Sequence, residues 1–83
     1  MDTDLQKLAD DLEGRGLTVA RCDPENLIQV TNPLSSLLAD EIALRRGRYI
    51  MASIDYEVGA RGQEKGCADR IAYMLGATRK AAT

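Results

Sequence analysis

Apolar residues recur along this chain in two rhythms. Leu5, Leu8, Ala9 and Leu12 fall at i, i+3, i+4 and i+7, the spacing of one helical face, and Thr3 followed by Gln6 fits a capping box at its start. Gly14 and Gly16 supply the stop, since a glycine takes the left-handed conformation of a helix C-cap without a Cβ penalty. Alternation follows. Residues 17–22 read as a strand with Leu17 and Val19 on one face, and Asp-Pro-Glu-Asn at 23–26 carries turn chemistry. Leu27–Asn32 resumes with Ile28 and Val30 on one side and Gln29 and Thr31 on the other, which predicts an antiparallel hairpin ended by Pro33.

Residues 34–40, Leu-Ser-Ser-Leu-Leu-Ala-Asp, have no clean period, and the reading is a loop with one helical turn whose leucines cap one end of the core. Ile42 and Leu44 then alternate, and Arg-Arg-Gly-Arg at 45–48 sets a glycine where a tight hairpin needs positive φ. Residues 48–59 read as the long strand around which the chain is organised. Ile50, Ala52, Ile54, Tyr56 and Val58 form its core face, Ser53, Asp55 and Glu57 lie between them, and Tyr49 and Met51 begin the opposite face. A glycine-rich loop over 59–66 leads into a closing helix with Cys67, Ala68, Ile71, Ala72, Met74 and Leu75 on its apolar side and Gly76 at its end.

The expected fold is a two-layer α+β domain of helix, four-stranded antiparallel meander and helix, with both helices on the apolar face of the sheet. Residues 1–76 form one domain in this reading, and 77–83 a disordered C-terminal tail. Ile28, Val30, Ile42, Leu44, Ile50 and Ile54 are expected to face Leu8, Leu12, Ile71 and Leu75. The Leu-rich opening helix, the Gly-Leu-Thr-Val-Ala strand from Gly16 and the Ile-Gln-Val-Thr-Asn-Pro strand from Ile28 resemble small uncharacterised actinobacterial-type proteins. That resemblance spans the first 33 residues and carries no function-bearing motif.

Composition narrows the function classes. The chain has 45% hydrophobic residues but no Trp, Phe or His, so its core rests on aliphatic side chains and Tyr. A domain this small buries only about 60–65% of the surface of its unfolded chain, which favours a partner or a second copy. A net charge of −2 and a pI near 5.0 give no global attraction to nucleic acid or to an anionic membrane. No segment has the roughly 20 apolar residues of a membrane span. The opening Met-Asp-Thr-Asp lacks the basic start of a secretory signal, so a cytoplasmic protein is expected. Cys22 and Cys67 are then free thiols, with Cys67 on the apolar side of the closing helix.

Without His, Ser-His-Asp and Cys-His catalysis and His-containing zinc sites are excluded, and two isolated cysteines cannot build a tetrathiolate site. Asp55 and Glu57 share one strand face, but a solvated one. No enzyme, cofactor or metal is expected. The 59–66 loop could gather backbone amides, a helix N-terminus, Arg61 and Lys65 around a phosphate, although it has neither the Walker nor the dinucleotide spacing. Arg45, Arg46 and Arg48 on the hairpin tip, with Tyr49 to stack, could contact nucleic acid. The 48–59 strand, read as a sheet edge, could pair with a protein or a second copy through Tyr49 and Met51. The combined expectation is a non-enzymatic interaction or regulatory module that binds protein as a homodimer; the rival is an anion or nucleic-acid binder.

Overall fold

Residues 2–22 and 26–77 are described by the structure, a computed structural model with the order α1 (Thr3–Gly14), β1 (Thr18–Cys22), β2 (Leu27–Asn32), β3 (Ser35–Arg45), β4 (Arg48–Met51), β5 (Tyr56–Ala60) and α2 (Glu64–Met74). The strands form one antiparallel sheet in sequence order, with five strands where four were expected. Both helices pack on the same face. Leu5, Leu8, Ala9 and Leu12 of α1 and Cys67, Ala68, Ile71 and Ala72 of α2 join Val19, Ile28, Val30, Ile42, Tyr49, Met51 and Val58 in one core. The α+β, two-layer architecture is therefore as its hydrophobic rhythms imply.

Helix α1 is capped by Asp2, not Thr3. The Asp2 carboxylate accepts the amides of Asp4 and Leu5 at 2.9 and 3.3 Å, satisfying donors that have no partner inside the helix. Helix α2 begins at Glu64, so Gly66 belongs to its first turn and the preceding loop is shorter than expected. The turn at 23–26 falls mostly outside the described residues, and so does the expected tail beyond Ala77.

The 48–59 stretch is two strands, not one. Residues 52–55 reverse the chain, with Asp55 at φ 51°, and Asp40 of β3 holds the reversal by accepting the Ser53 amide at 3.0 Å and its hydroxyl at 2.7 Å. Register decides which face goes inward. Ile42 pairs with Met51 and Leu44 with Tyr49, so the core face of β4 carries Tyr49 and Met51, while Ile50 turns the other way and is half-buried. Tyr49 is 0% and Met51 2% exposed, whereas Ile54, expected in the core, is 57% exposed in the turn. Beyond the turn Val58 returns to the core through a bulge: Tyr49 pairs with Gly59 and Ile50 with Glu57, which leaves Val58 unpaired between them.

Residues 35–40, expected as a loop, belong to β3. Pro33 and Leu34 turn the chain, and Asn32 pairs with Ser35. The next step along β2, to Thr31, is matched on β3 by Ala39, so Ser36, Leu37 and Leu38 have no cross-strand partner. This irregularity removes any readable period. It also keeps the leucines from capping the core: Leu34 and Leu37 are 93% and 92% exposed and Leu38 is 37% exposed. Buried Asn32 fixes this corner, donating from Nδ2 to the Leu75 carbonyl at 2.8 Å and accepting the Leu34 amide at 2.9 Å.

Candidate interaction surfaces

Because both helices lie on one side, no helix among the described residues covers the other side of the sheet. Across it runs a row with one residue from each strand: Cys22, Leu27, Ala43, Ile50 and Glu57. The adjacent row, Ala20, Gln29 and Glu41, is mostly polar. An open hollow of about 550 Å³ sits there, lined in part by Gln29, Thr31, Glu41 and Ser53. The row is apolar at its centre yet one residue wide, because alternation sends the neighbouring positions into the core.

The two cationic features that are separate in sequence meet at one end of the molecule. The amide of Arg61 donates to the Gly47 carbonyl at 2.8 Å, which joins the loop before α2 to the β3–β4 tip. That tip is a two-residue turn with Arg46 at φ 53° and Gly47 at φ 77°, the two positive values that a type I′ hairpin requires. Much of the charge is spent internally. Arg61 donates to both oxygens of Asp2 at 3.1 and 3.0 Å and to Asp4 at 3.0 Å, and its guanidinium holds the Asp2 carboxyl below the usual range. Arg48 meets both oxygens of Glu57 at 2.9 Å.

The loop amides are spent as well. Gly62 N–H donates to Glu64 at 2.9 Å and Ala60 N–H to Gln63 at 3.0 Å, so the chain's own side chains stand where a phosphate would. Arg45, Arg46 and Lys65 are exposed and make no ion pair among the described residues. Tyr49 is not beside the tip as a stacking ring, and neither Tyr49 nor Met51 can serve as an exposed contact. Both are core.

Sequence reasoning missed two apolar surfaces. One is the corner formed by Leu34, Leu37 and Leu38, for which the Leu-Leu doublet in an aperiodic stretch was the available signal. The other is a groove of about 330 Å³ between β5 and α2, lined by Tyr56, Asp69, Arg70, Tyr73 and Met74. Within it Arg70 reaches across to donate to the Val58 carbonyl at 2.6 Å. The buried Cys67 thiol lies beneath β5, and burial pushes its ionisation upward, the state of an inert rather than a reactive cysteine.

No helix among the described residues is long and apolar enough to cross a membrane. Comparison with protein-family models, curated proteins and solved structures finds no match to this chain.

Proposed function

We propose that this domain is a non-enzymatic interaction module, regulatory in effect, which binds protein and self-associates as a homodimer in the cytoplasm. The supporting observation is the leucine corner. Two leucines more than nine-tenths exposed, Leu34 in the turn before β3 and Leu37 in its unpaired first part, cost solvation and contribute nothing to the core. Large apolar side chains exposed so near each other along the chain support a docking surface. Asn32 ties the turn at Leu34 to the end of α2 through the Leu34 amide and the Leu75 carbonyl. The experiment compares immobilised wild-type protein with a Leu34→Glu, Leu37→Glu variant in lysate of the source cells. A protein retained by the first and lost from the second supports the reading; identical retained sets overturn it.

The rival reading, binding of nucleic acid or another polyanion, is favoured by the meeting of the β3–β4 tip with the loop before α2. It rests on Arg45, Arg46 and Lys65, because Arg48 and Arg61 are already neutralised by carboxylates. Three exposed cations give weak, salt-sensitive binding. Retention on heparin at low salt, lost on changing these three to Ala, would favour this rival.

A further inference from the structure

The two edges of the sheet are guarded differently. At the β5 edge the strand is bulged at Val58, the Val58 carbonyl is taken by the Arg70 guanidinium, and α2 lies alongside with Tyr73 and Met74 next to Tyr56. Bulging, a cation and a covering helix are the devices by which proteins stop a sheet from growing. The β1 edge has no bulge among the described residues, and no cation takes up an edge carbonyl there. Its five residues, Thr-Val-Ala-Arg-Cys, pair with β2 in unbroken register, without a bulge, a proline or a lysine. The one charge on the strand is drawn off the edge: Arg21 folds onto α1, donating to Gln6 at 3.0 Å, to Asp10 at 3.0 Å and to Glu13 at 3.3 Å.

We infer that the β1 edge pairs with the β1 edge of a second copy, antiparallel about a twofold at Ala20, to make one continuous sheet of two domains. The inference rests on the self-association in the proposed function and assigns it a surface. Such pairing sets Thr18 opposite the other copy's Cys22, Val19 opposite its Arg21, and Ala20 opposite Ala20. The small side chain at the centre lets the two strands approach without a clash. Charge is complementary as well. Val19 lies on the helix side of the sheet, so each Arg21 comes to the foot of the other copy's α1, where Asp10 and Glu13 are more than four-tenths exposed and share a single guanidinium within their own chain. The outward backbone N–H and C=O groups of β1 gain partners, as they would in any interior strand.

The test is sedimentation equilibrium at micromolar concentration of the wild type, Ala20→Lys and Tyr56→Lys. Ala20 and Tyr56 are both exposed, so a lysine at either is compatible with the folded chain, which circular dichroism checks. A dimeric wild type, loss of the dimer in Ala20→Lys and its retention in Tyr56→Lys is the expected pattern. A dimer that survives Ala20→Lys overturns the β1 assignment and leaves self-association standing. A monomeric wild type overturns self-association itself. An Ala20→Cys variant in a Cys22→Ser background gives a second readout. Mild oxidation should link it into a covalent dimer, and failure to link while the protein sediments as a dimer again counts against the β1 edge.

Discussion

The Tyr49 hydroxyl donates to the Glu64 carboxylate at 2.7 Å, joining β4 to the first turn of α2 beneath the loop that connects β5 to that helix. Glu64 also accepts the Gly62 amide at 2.9 Å. Partial burial opposes its ionisation, but these two bonds, together with the Glu64 amide and the charge of Lys7, outweigh burial and hold the carboxyl below its ordinary range. Burial, together with the adjacent carboxylate, pushes the Tyr49 hydroxyl up, so it stays protonated and remains a donor.

A pH signature follows from that pair. Because the folded pKa of Glu64 is depressed, its contribution to stability is present above the unfolded value, about 4.3, and is lost as pH falls through the folded one. Tyr49→Phe should cost about 1.5–3 kcal/mol at neutral pH, the range for a hydrogen bond to a charged group. The gap from wild type should narrow at an acid pH low enough to protonate the depressed carboxyl. Urea denaturation of both proteins at the two pH values checks this; a gap of the same size at both would mean that the bond does not depend on a charged Glu64.

Met51 on the core face of β4 and Ile54 in the turn after it are two residues that the alternating pattern placed the other way round. Met51→Ala empties a buried site and should cost about 2–5 kcal/mol. Ile54→Ala in the exposed turn should stay within about 0.5 kcal/mol of wild type. Thermal melts of the two variants, read side by side, would reject the register if Ile54→Ala proved the more damaging.

That inversion shows what the pattern alone could resolve. The phase of α1 was legible because its leucines meet no competing apolar residue on the other face, and the β3–β4 turn was legible because Arg46-Gly47 demands a specific backbone. From Tyr49 to Ala52, however, both faces of the stretch are apolar, so alternation fixes no phase there, and Ser53 and Asp55 fall where a strand's polar face would put them, which masks a turn that Asp40 stabilises from another strand. The same holds at Ser36, Leu37 and Leu38, where β2 decides the register from across the sheet. Among the candidate site residues, Arg45, Arg46 and Lys65 stand exposed, while the partners of Arg48 and Arg61 are non-local and left no mark near them in the sequence.

Gly59 gives the next prediction. A Cβ built there would run into the Cys67 sulfur, so the glycine is required by the close approach of α2 to β5. Gly59→Ala should destabilise by about 1–3 kcal/mol through overpacking. Cys67→Ala creates room beneath the strand, and the double variant should recover part of the loss. A double-mutant cycle by chemical denaturation measures the coupling, and strict additivity would place the cause elsewhere.

The β4–β5 turn is held to β3 by the Asp40 carboxylate and by the Ala52 amide, which donates to the Glu41 carbonyl at 2.8 Å. Asp40 is buried, lies opposite Val30, and accepts the Glu41 amide at 2.7 Å in addition to the Ser53 amide and hydroxyl. Asp40→Ala takes away all three acceptor contacts while leaving the pairing of β2 with β3 to the backbone. The Ser53 amide should then exchange with solvent about tenfold faster or more, the effect of losing a hydrogen bond of about 1.4 kcal/mol. Amides of Ile28 and Val30 should keep their protection, since they sit in the interior strand and open only with the whole fold. Asp40→Asn keeps one carbonyl oxygen for the Ser53 amide and can give an N–H to the hydroxyl, so it should fall between wild type and Asp40→Ala. Amide exchange followed by NMR distinguishes the cases. Equal acceleration at Ser53 and Val30 would mean that Asp40 supports the sheet as a whole, and unchanged exchange at Ser53 would mean that the turn is held by its own backbone.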